Sequence, residues 1–414
     1  MGRFSSLWSV IILGTLIVFL IFFLPYERSA RTNNVQWVGF IGKTSRDIAY
    51  NMAVVKDGII AAGWTSSSTG DQNALLVKLS KEGKLLWQKE LGGSGTDGAI
   101  CVKATSDGGF LVAVLSDSQD GDLPIQFGGQ DLWFLKYDAN GNLQWKNCYG
   151  TKGYETAFDV LEDEGYLFVG YTTLNGSEDF WVVKTDLSGK MLWQKTFGGS
   201  DWDCAFSIVK QNDSYIIAGM TRSSDGEIQH NNGSADIWLI KISKTGELTW
   251  QKTFGGSDWD QAASVITTKD GGFAVAATSW SEEIAGKSRS ADFVLMKFDK
   301  DNNLTFMKTY GGSSDDIAQK IIETEDGYAL AGTTWSDDGD VKEKHRGSDY
   351  WFIKTDKTGN LTWQKCLGDD LDEIAYALQQ LDNTYLIAGV SYSYVVGLRA
   401  RSHGGGDMLI VKVK

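Results

Sequence analysis

One phrase returns seven times along this chain of 414 residues: a tryptophan strand, a glycine pair, an acid, an apolar strand, an aspartate–glycine turn, a small-residue strand, a loop, and an apolar strand ending in lysine. The clearest copies are WQKTFGGSDWDCA from Trp193 and WQKTFGGSDWDQA from Trp250, with weaker ones from Trp37, Trp87, Trp145, Phe306 and Trp363. A period of roughly 48 to 58 residues with four strand-like runs per unit matches a propeller blade. The repeat overrides the two or three domains that the length alone suggests, because stacked units form one body.

Within a unit, strand a follows the acid, as in DCAFSIVK from Asp203, and strand b follows a turn such as Asp107-Gly108-Gly109. Strand c reads DLWFLKY from Asp131 and DYWFIKT from Asp349, and strand d carries the repeated tryptophan. The c–d turn is Asp-x-x-Gly at 138–141, 186–189 and 356–359, a spacing that suits a type I turn followed by a left-handed glycine. The chain opens on a lone strand d, VQWVGFI from Val35, and stops after a strand c, DMLIVKVK from Asp407. That phase shift predicts an all-β, seven-bladed propeller over residues 31–414, closed by its N-terminal strand so that no sheet edge stays open.

Residues 1–30 read as an anchor and linker. The run from Leu7 to Leu24 is uncharged and apolar, long enough to cross a bilayer as one helix. Arg28 makes the segment before Ala30 a poor signal-cleavage site, so an uncleaved anchor is expected, with the domain outside the membrane. A net charge of −14 argues against nucleic acid as a partner. Cys101, Cys148, Cys204 and Cys366 form no CxxC pattern and read as free thiols on or beside strands.

The WQKxFGGSxxDxA…DGGxxVAG units resemble those of prokaryotic cell-surface and secreted repeat propellers, over residues 35–414. That resemblance implies a fold rather than an activity. The D-x-x-G-x-x-x-W turns are distantly similar to the tryptophan-docking motif of quinoprotein-like propellers. However, the Asp-to-Gly step is one residue shorter here and no adjacent cysteine pair occurs, so no cofactor is predicted.

In an a-b-c-d meander the short, repetitive a–b and c–d turns share one end, and the b–c and d–a connections share the other. All the long insertions fall in the second set, which makes that face the candidate binding surface. Tyr154, Trp202 and Trp259 occupy one equivalent d–a position, while Trp280, Trp335 and Tyr392 begin b–c loops. Such rings suit the apolar faces of sugars or a protein interface; packing between blades is the alternative. Lys287, Arg289, Lys342, Lys344, Arg346, Arg399 and Arg401 form a basic set on loops of three adjacent blades, a patch for an anionic glycan or acidic partner. Acids opening strand a, namely Asp47, Asp97, Glu155, Asp203, Asp260, Asp316 and Glu373, either ring the channel mouth and bind a cation or accept hydrogen bonds from the glycine loops. His230, His345 and His403 lie on three different blades and form no metal motif. The lysine ending strand c in every unit, from Lys78 to Lys412, reads as blade architecture.

No nucleophile–base–acid set or phosphate loop appears. The expected protein is thus a monomeric binding or scaffold propeller on the outside of a membrane, recognising a carbohydrate or protein partner. An envelope enzyme with a central-channel site (hydrolase, lyase or quinoprotein-like oxidoreductase) and an envelope assembly factor are the alternatives.

Overall fold

A computed structural model describes residues 35–42, 46–66, 71–174, 176–286, 290–393 and 405–414. The apolar run 7–24 lies outside the described residues; among those described, no helix is long and apolar enough to cross a membrane.

Seven four-stranded antiparallel sheets form the described body. Blades 1 to 6 are residues 47–91, 97–149, 155–197, 203–254, 260–310 and 316–367, each in the order a-b-c-d. Blade 7 combines Glu373–Leu381, Thr384–Ser391 and Asp407–Val413 with the first strand, Val35–Ile41. Val38 lies opposite Val411 and Phe40 opposite Leu409, so the two ends of the chain close the ring. The fold is the seven-bladed, all-β propeller that the phase of the repeat predicts.

Burial along each strand follows from its radial position. Strands b and c have neighbours on both faces and read as near-continuous apolar or small runs, as a doubly covered strand must. Phe273–Ser279 and Asp292–Phe298 are buried throughout. The outer strand Leu143–Tyr149 is exposed or half-exposed except at its last residue. Apolar cores therefore lie between blades. Phe180 and Val182 of blade 3 pack with Trp238 and Ile240 of blade 4, and Met408 and Ile410 of blade 7 pack with Leu75 and Val77 of blade 1.

The repeated WQK has a matching explanation. The indole N–H groups of Trp181, Trp238 and Trp351 on strand c donate to Gln194, Gln251 and Gln364 on strand d at 3.0, 2.9 and 3.0 Å. Those indoles are fully buried, and an unpaired N–H there would be costly. The strand-d tryptophan instead covers the c–d turn of the next blade. A Cβ on Gly83, Gly141 or Gly189 would come within 2.8 Å of Trp37, Trp87 and Trp145 respectively. The same glycines take φ of 84°, 82° and 79°, so both the turn and the contact exclude a side chain. Blade 5 meets the backbone demand with Asn302 at φ 67°.

At this end four strand-c lysines, Lys78, Lys136, Lys184 and Lys297, are buried and reach the a–b turns. Lys78, Lys136 and Lys297 pair with Asp57, Asp107 and Asp270 at 2.8, 2.8 and 2.9 Å. Lys184 donates to the Asp163 carbonyl in the same way.

Candidate functional site

A cavity of about 530 Å³ occupies the central channel, bordered at its b–c/d–a end by Gln72, Thr96 and Gln130. Its wall is built by one irregularity repeated in every blade. Strand a begins Asp/Glu-x-Ala, and the residue after that alanine is skipped by the pairing with strand b. A bulge of this kind turns the extra side chain out of the ladder. The seven bulged residues are Tyr50, Ile100, Phe158, Phe206, Ala263, Gln319 and Tyr376, and all seven line the cavity.

The bulge ring is uneven. Tyr50 and Tyr376 meet edge-on at 5.2 Å on blades 1 and 7, and the Trp64 indole N–H donates to the Tyr50 hydroxyl at 2.9 Å. Facing them, Phe158 and Phe206 of blades 3 and 4 are also 5.2 Å apart. Ala263 and Gln319 leave a gap in the ring at blades 5 and 6, where Gln261 and Lys320 add an amide and an ammonium. The wall thus offers two aromatic faces with hydrogen-bonding groups between them.

A second tier lies above. The residue before each strand-a acid accepts, through its carbonyl, the N–H of the first b–c loop residue. Thr173 N–H bonds Tyr154, Arg222 bonds Trp202, Trp280 bonds Trp259, Trp335 bonds Asp315 and Tyr392 bonds Asp372. These paired positions place Tyr154, Trp202, Trp259, Trp280, Trp335 and Tyr392 along a rim spanning blades 3 to 7. Tyr154 and Trp335 are exposed, at 56% and 37%. Trp202 and Trp259 meet edge-on at 5.7 Å, and Trp259 donates to Gln261 at 3.1 Å. Both join Phe158, Tyr171 and Phe206 in one apolar cluster, so rim and channel are continuous on that side.

The strand-a acids lie elsewhere. All seven are fully buried, and of these only Asp97 borders the cavity. Asp203 accepts from Gly199 N–H and from the Ser223 hydroxyl, both at 2.8 Å; Asp260 accepts from Gly256 N–H at 2.8 Å and Ser281 at 2.7 Å. Asp97 and Asp316 repeat this pattern with Gly93 and Ser118, and with Gly312 and Ser336. Each of these four acids therefore ties the preceding blade's exit loop to its own b–c loop, the glycine-loop reading rather than an open ring of carboxylates. Burial pushes Asp203, Asp260 and Glu373 up, against the pull of these hydrogen bonds. A second buried acid opens strand c and converges on the preceding glycine of the pair. A Cβ on Gly255 would lie 2.1 Å from Asp236 Oδ1 and 3.0 Å from Asp260 Oδ2, which accounts for the glycine. Burial, with the neighbouring Asp260 charge, pushes Asp236 up to about 6.

The basic loop residues are spent locally or fall outside view. Lys344 donates to the carbonyls of His345 and Gly347 at 2.8 Å, and Lys342 to that of Gly339 at 2.6 Å. Arg346 is exposed. Lys287, Arg289, Arg399, Arg401 and His403 lie outside the described residues. His345 pairs with buried Asp349 at 3.0 Å, and among the described residues no three His, Cys, Asp or Glu side chains form a metal-binding group. Cys101, Cys204 and Cys366 are buried free thiols and Cys148 is half-buried; burial pushes Cys101 up to about 12.

No protein-family model and no curated protein sequence matches this chain. Among solved structures it is similar to puromycin hydrolase, at 12% identity and a TM-score of 0.50, over 88% of this chain and 54% of the hydrolase, about half of that protein's length. It is also similar to a putative 6-phosphogluconolactonase from Bacteroides uniformis, at 14% identity and a TM-score of 0.49, over 86% and 100% of the two chains. The β-propeller domain of the Trilobed protease from Pyrococcus furiosus matches at 10% identity and a TM-score of 0.46, over 84% and 92%. At such identities the likeness is one of fold, and the fold is the β-propeller.

Proposed function

We propose that this protein is a glycan-binding propeller, held on the outer side of a membrane by residues 7–24, that takes the end of a saccharide chain into the b–c/d–a mouth of its channel. The observation carrying this reading is the bulge ring, which sets Tyr50 and Tyr376 against Phe158 and Phe206 with amide side chains between. Flat rings on facing walls suit the apolar faces of sugars, and Gln72, Gln130, Gln261 and Gln319 suit their hydroxyls. Binding rather than turnover is favoured because glycoside hydrolysis uses two carboxyl groups about 5–9.5 Å apart across the scissile bond. Among the described residues the one carboxylate on this wall, Asp97, is buried and already bonded to Gly93 and Ser118. A cavity also suits a chain end better than the flat patch of an assembly factor.

The test is a glycan panel presented to the full chain in detergent, followed by titration of the hits against Phe158→Ala and Phe206→Ala. Each variant should weaken binding about tenfold, the worth of roughly 1.4 kcal/mol of stacking, with little change in melting temperature. Unchanged affinity in both variants would place the ligand elsewhere.

A further inference from the structure

Resting on the channel-mouth reading, we infer that the glycan is acidic, and that Arg46 holds the carboxylate of a hexuronate-type residue at the blade 7–blade 1 side of the mouth. Arg46 precedes the strand-a acid Asp47, and so holds in blade 1 the rim position that Tyr154, Trp202 and Trp259 hold in blades 3 to 5. Its guanidinium carbon lies 5.5 Å from the Trp64 ring and 5.4 Å from the Tyr392 ring. Trp64 is itself fixed by its bond to the Tyr50 hydroxyl, and Tyr50 packs on Tyr376. Burial pushes the Tyr376 phenol up to about 12, and the Arg46 charge pulls against it, which sets the cation beside the channel ring.

Cation–π contacts of this kind engage the guanidinium's charge without consuming its N–H donors, the fork that matches a carboxylate in two parallel hydrogen bonds. Contact with two rings also lowers the freedom that a long side chain loses when it binds. Arg46 is exposed, and no ion pair to it is found among the described residues. Lys320, on the cavity wall at blade 6, adds a second positive charge. The acids at the equivalent rim positions of blades 6 and 7 are engaged by donors: Asp372 accepts from the Ser348 N–H and hydroxyl at 3.0 and 3.2 Å, and Asp315 from Ala291 N–H at 2.9 Å. In a protein of net charge −14, an arginine fixed by two rings at the mouth selects for an anion that the surface as a whole repels.

The experiment titrates the full chain in detergent with oligogalacturonate and oligoglucuronate, each against its carboxyl-reduced neutral counterpart. Wild type should prefer an acidic form by about tenfold or more, and the preference should shrink as salt is raised. Arg46→Gln should erase the preference while leaving affinity for the neutral form unchanged, and Arg46→Lys should keep part of it. Phe206→Ala should weaken both forms equally. Equal binding of acidic and neutral forms, or an Arg46→Gln variant that keeps the preference, overturns the acidic ligand and leaves the channel reading standing. Failure of wild type to bind any of the four overturns this inference, and loss of the Phe206→Ala effect on a bound neutral form overturns the channel reading itself.

Discussion

The two ends of the propeller are built from the same seven units but obey different rules. At the a–b/c–d end the chemistry repeats. Glycines accept the indole of the previous blade, and Lys78, Lys136 and Lys297 pair with turn aspartates in the same geometry. At the b–c/d–a end the backbone repeats just as strictly, yet the side chains it displays do not. Bulges at equivalent positions display Tyr, Ile, Phe, Phe, Ala, Gln and Tyr. Repetition of a side chain therefore goes with closure of the ring, while the proposed recognition falls where side chains vary on a repeated backbone site.

The largest expected difference between the ends is in stability. Trp37→Ala removes the indole that lies on Gly83 and joins the closing strand to blade 1. Trp37 is half-buried, so urea denaturation should show a loss of about 2–3 kcal/mol, at or just below the range for a core tryptophan. Trp335→Ala, on the opposite rim, should stay within about 0.5 kcal/mol. Comparable losses at the two sites would break the comparison.

A smaller effect, of opposite sign, is expected where two buried acids meet. Asp236 is pushed up to about 6 by burial and the Asp260 charge. A carboxylate with a raised folded-state pKa holds its proton longer in the folded state than in the unfolded chain. Its cost is absent below the unfolded value, grows as pH rises from about 4 to 6, and is complete above 6. Asp236→Asn should therefore raise stability at pH 7.5 by about 1–2 kcal/mol and change little at pH 4, read from melting curves at both pH values. Blade 1 already carries Asn73 at the corresponding place, where it and Asp97 flank Gly92.

The smallest expected effect is on the Lys136–Asp107 pair. Burial pushes Asp107 up, but the Lys136 ammonium, the Thr105 hydroxyl and Gly109 N–H outweigh it and leave the carboxyl at about 2. This contribution is present above the unfolded value near 4 and is lost as pH falls through about 2. Because Asp107 is half exposed, screening limits it to about 1 kcal/mol. Asp107→Asn should cost that much at neutral pH and much less at pH 2.

What could be read from the sequence follows the same division. The fold was legible because seven copies fix strand order, and the orphan strands Val35–Ile41 and Asp407–Val413 fix closure. Rim aromatics were legible because alignment of the copies places Tyr154, Trp202 and Trp259 together. Arg46 stands at the same offset, one residue before Asp47, but it breaks the aromatic pattern that marks the position in blades 3 to 5. The bulge ring was missed for a physical reason. Strict alternation assigns neighbouring residues to opposite faces, and one extra residue reverses that parity from there on. A signal was nonetheless present: alanine at 49, 99, 157, 205, 262, 318 and 375, each followed by a residue that changes from copy to copy. For the strand-a acids the sequence left two readings, a ring at the channel mouth or acceptors for the glycine loops, and their burial and hydrogen bonds match the second.

The most direct measurement fills the gap in the ring. Ala263→Trp puts at the blade 5 bulge a side chain of the kind that blades 1, 3, 4 and 7 already hold there, so the fold should accept it. Calorimetric titration with the glycan that wild type binds should show binding lost by at least a hundredfold with the melting temperature preserved. A well-folded Ala263→Trp protein that still binds at wild-type affinity would contradict the assignment of the channel as the site.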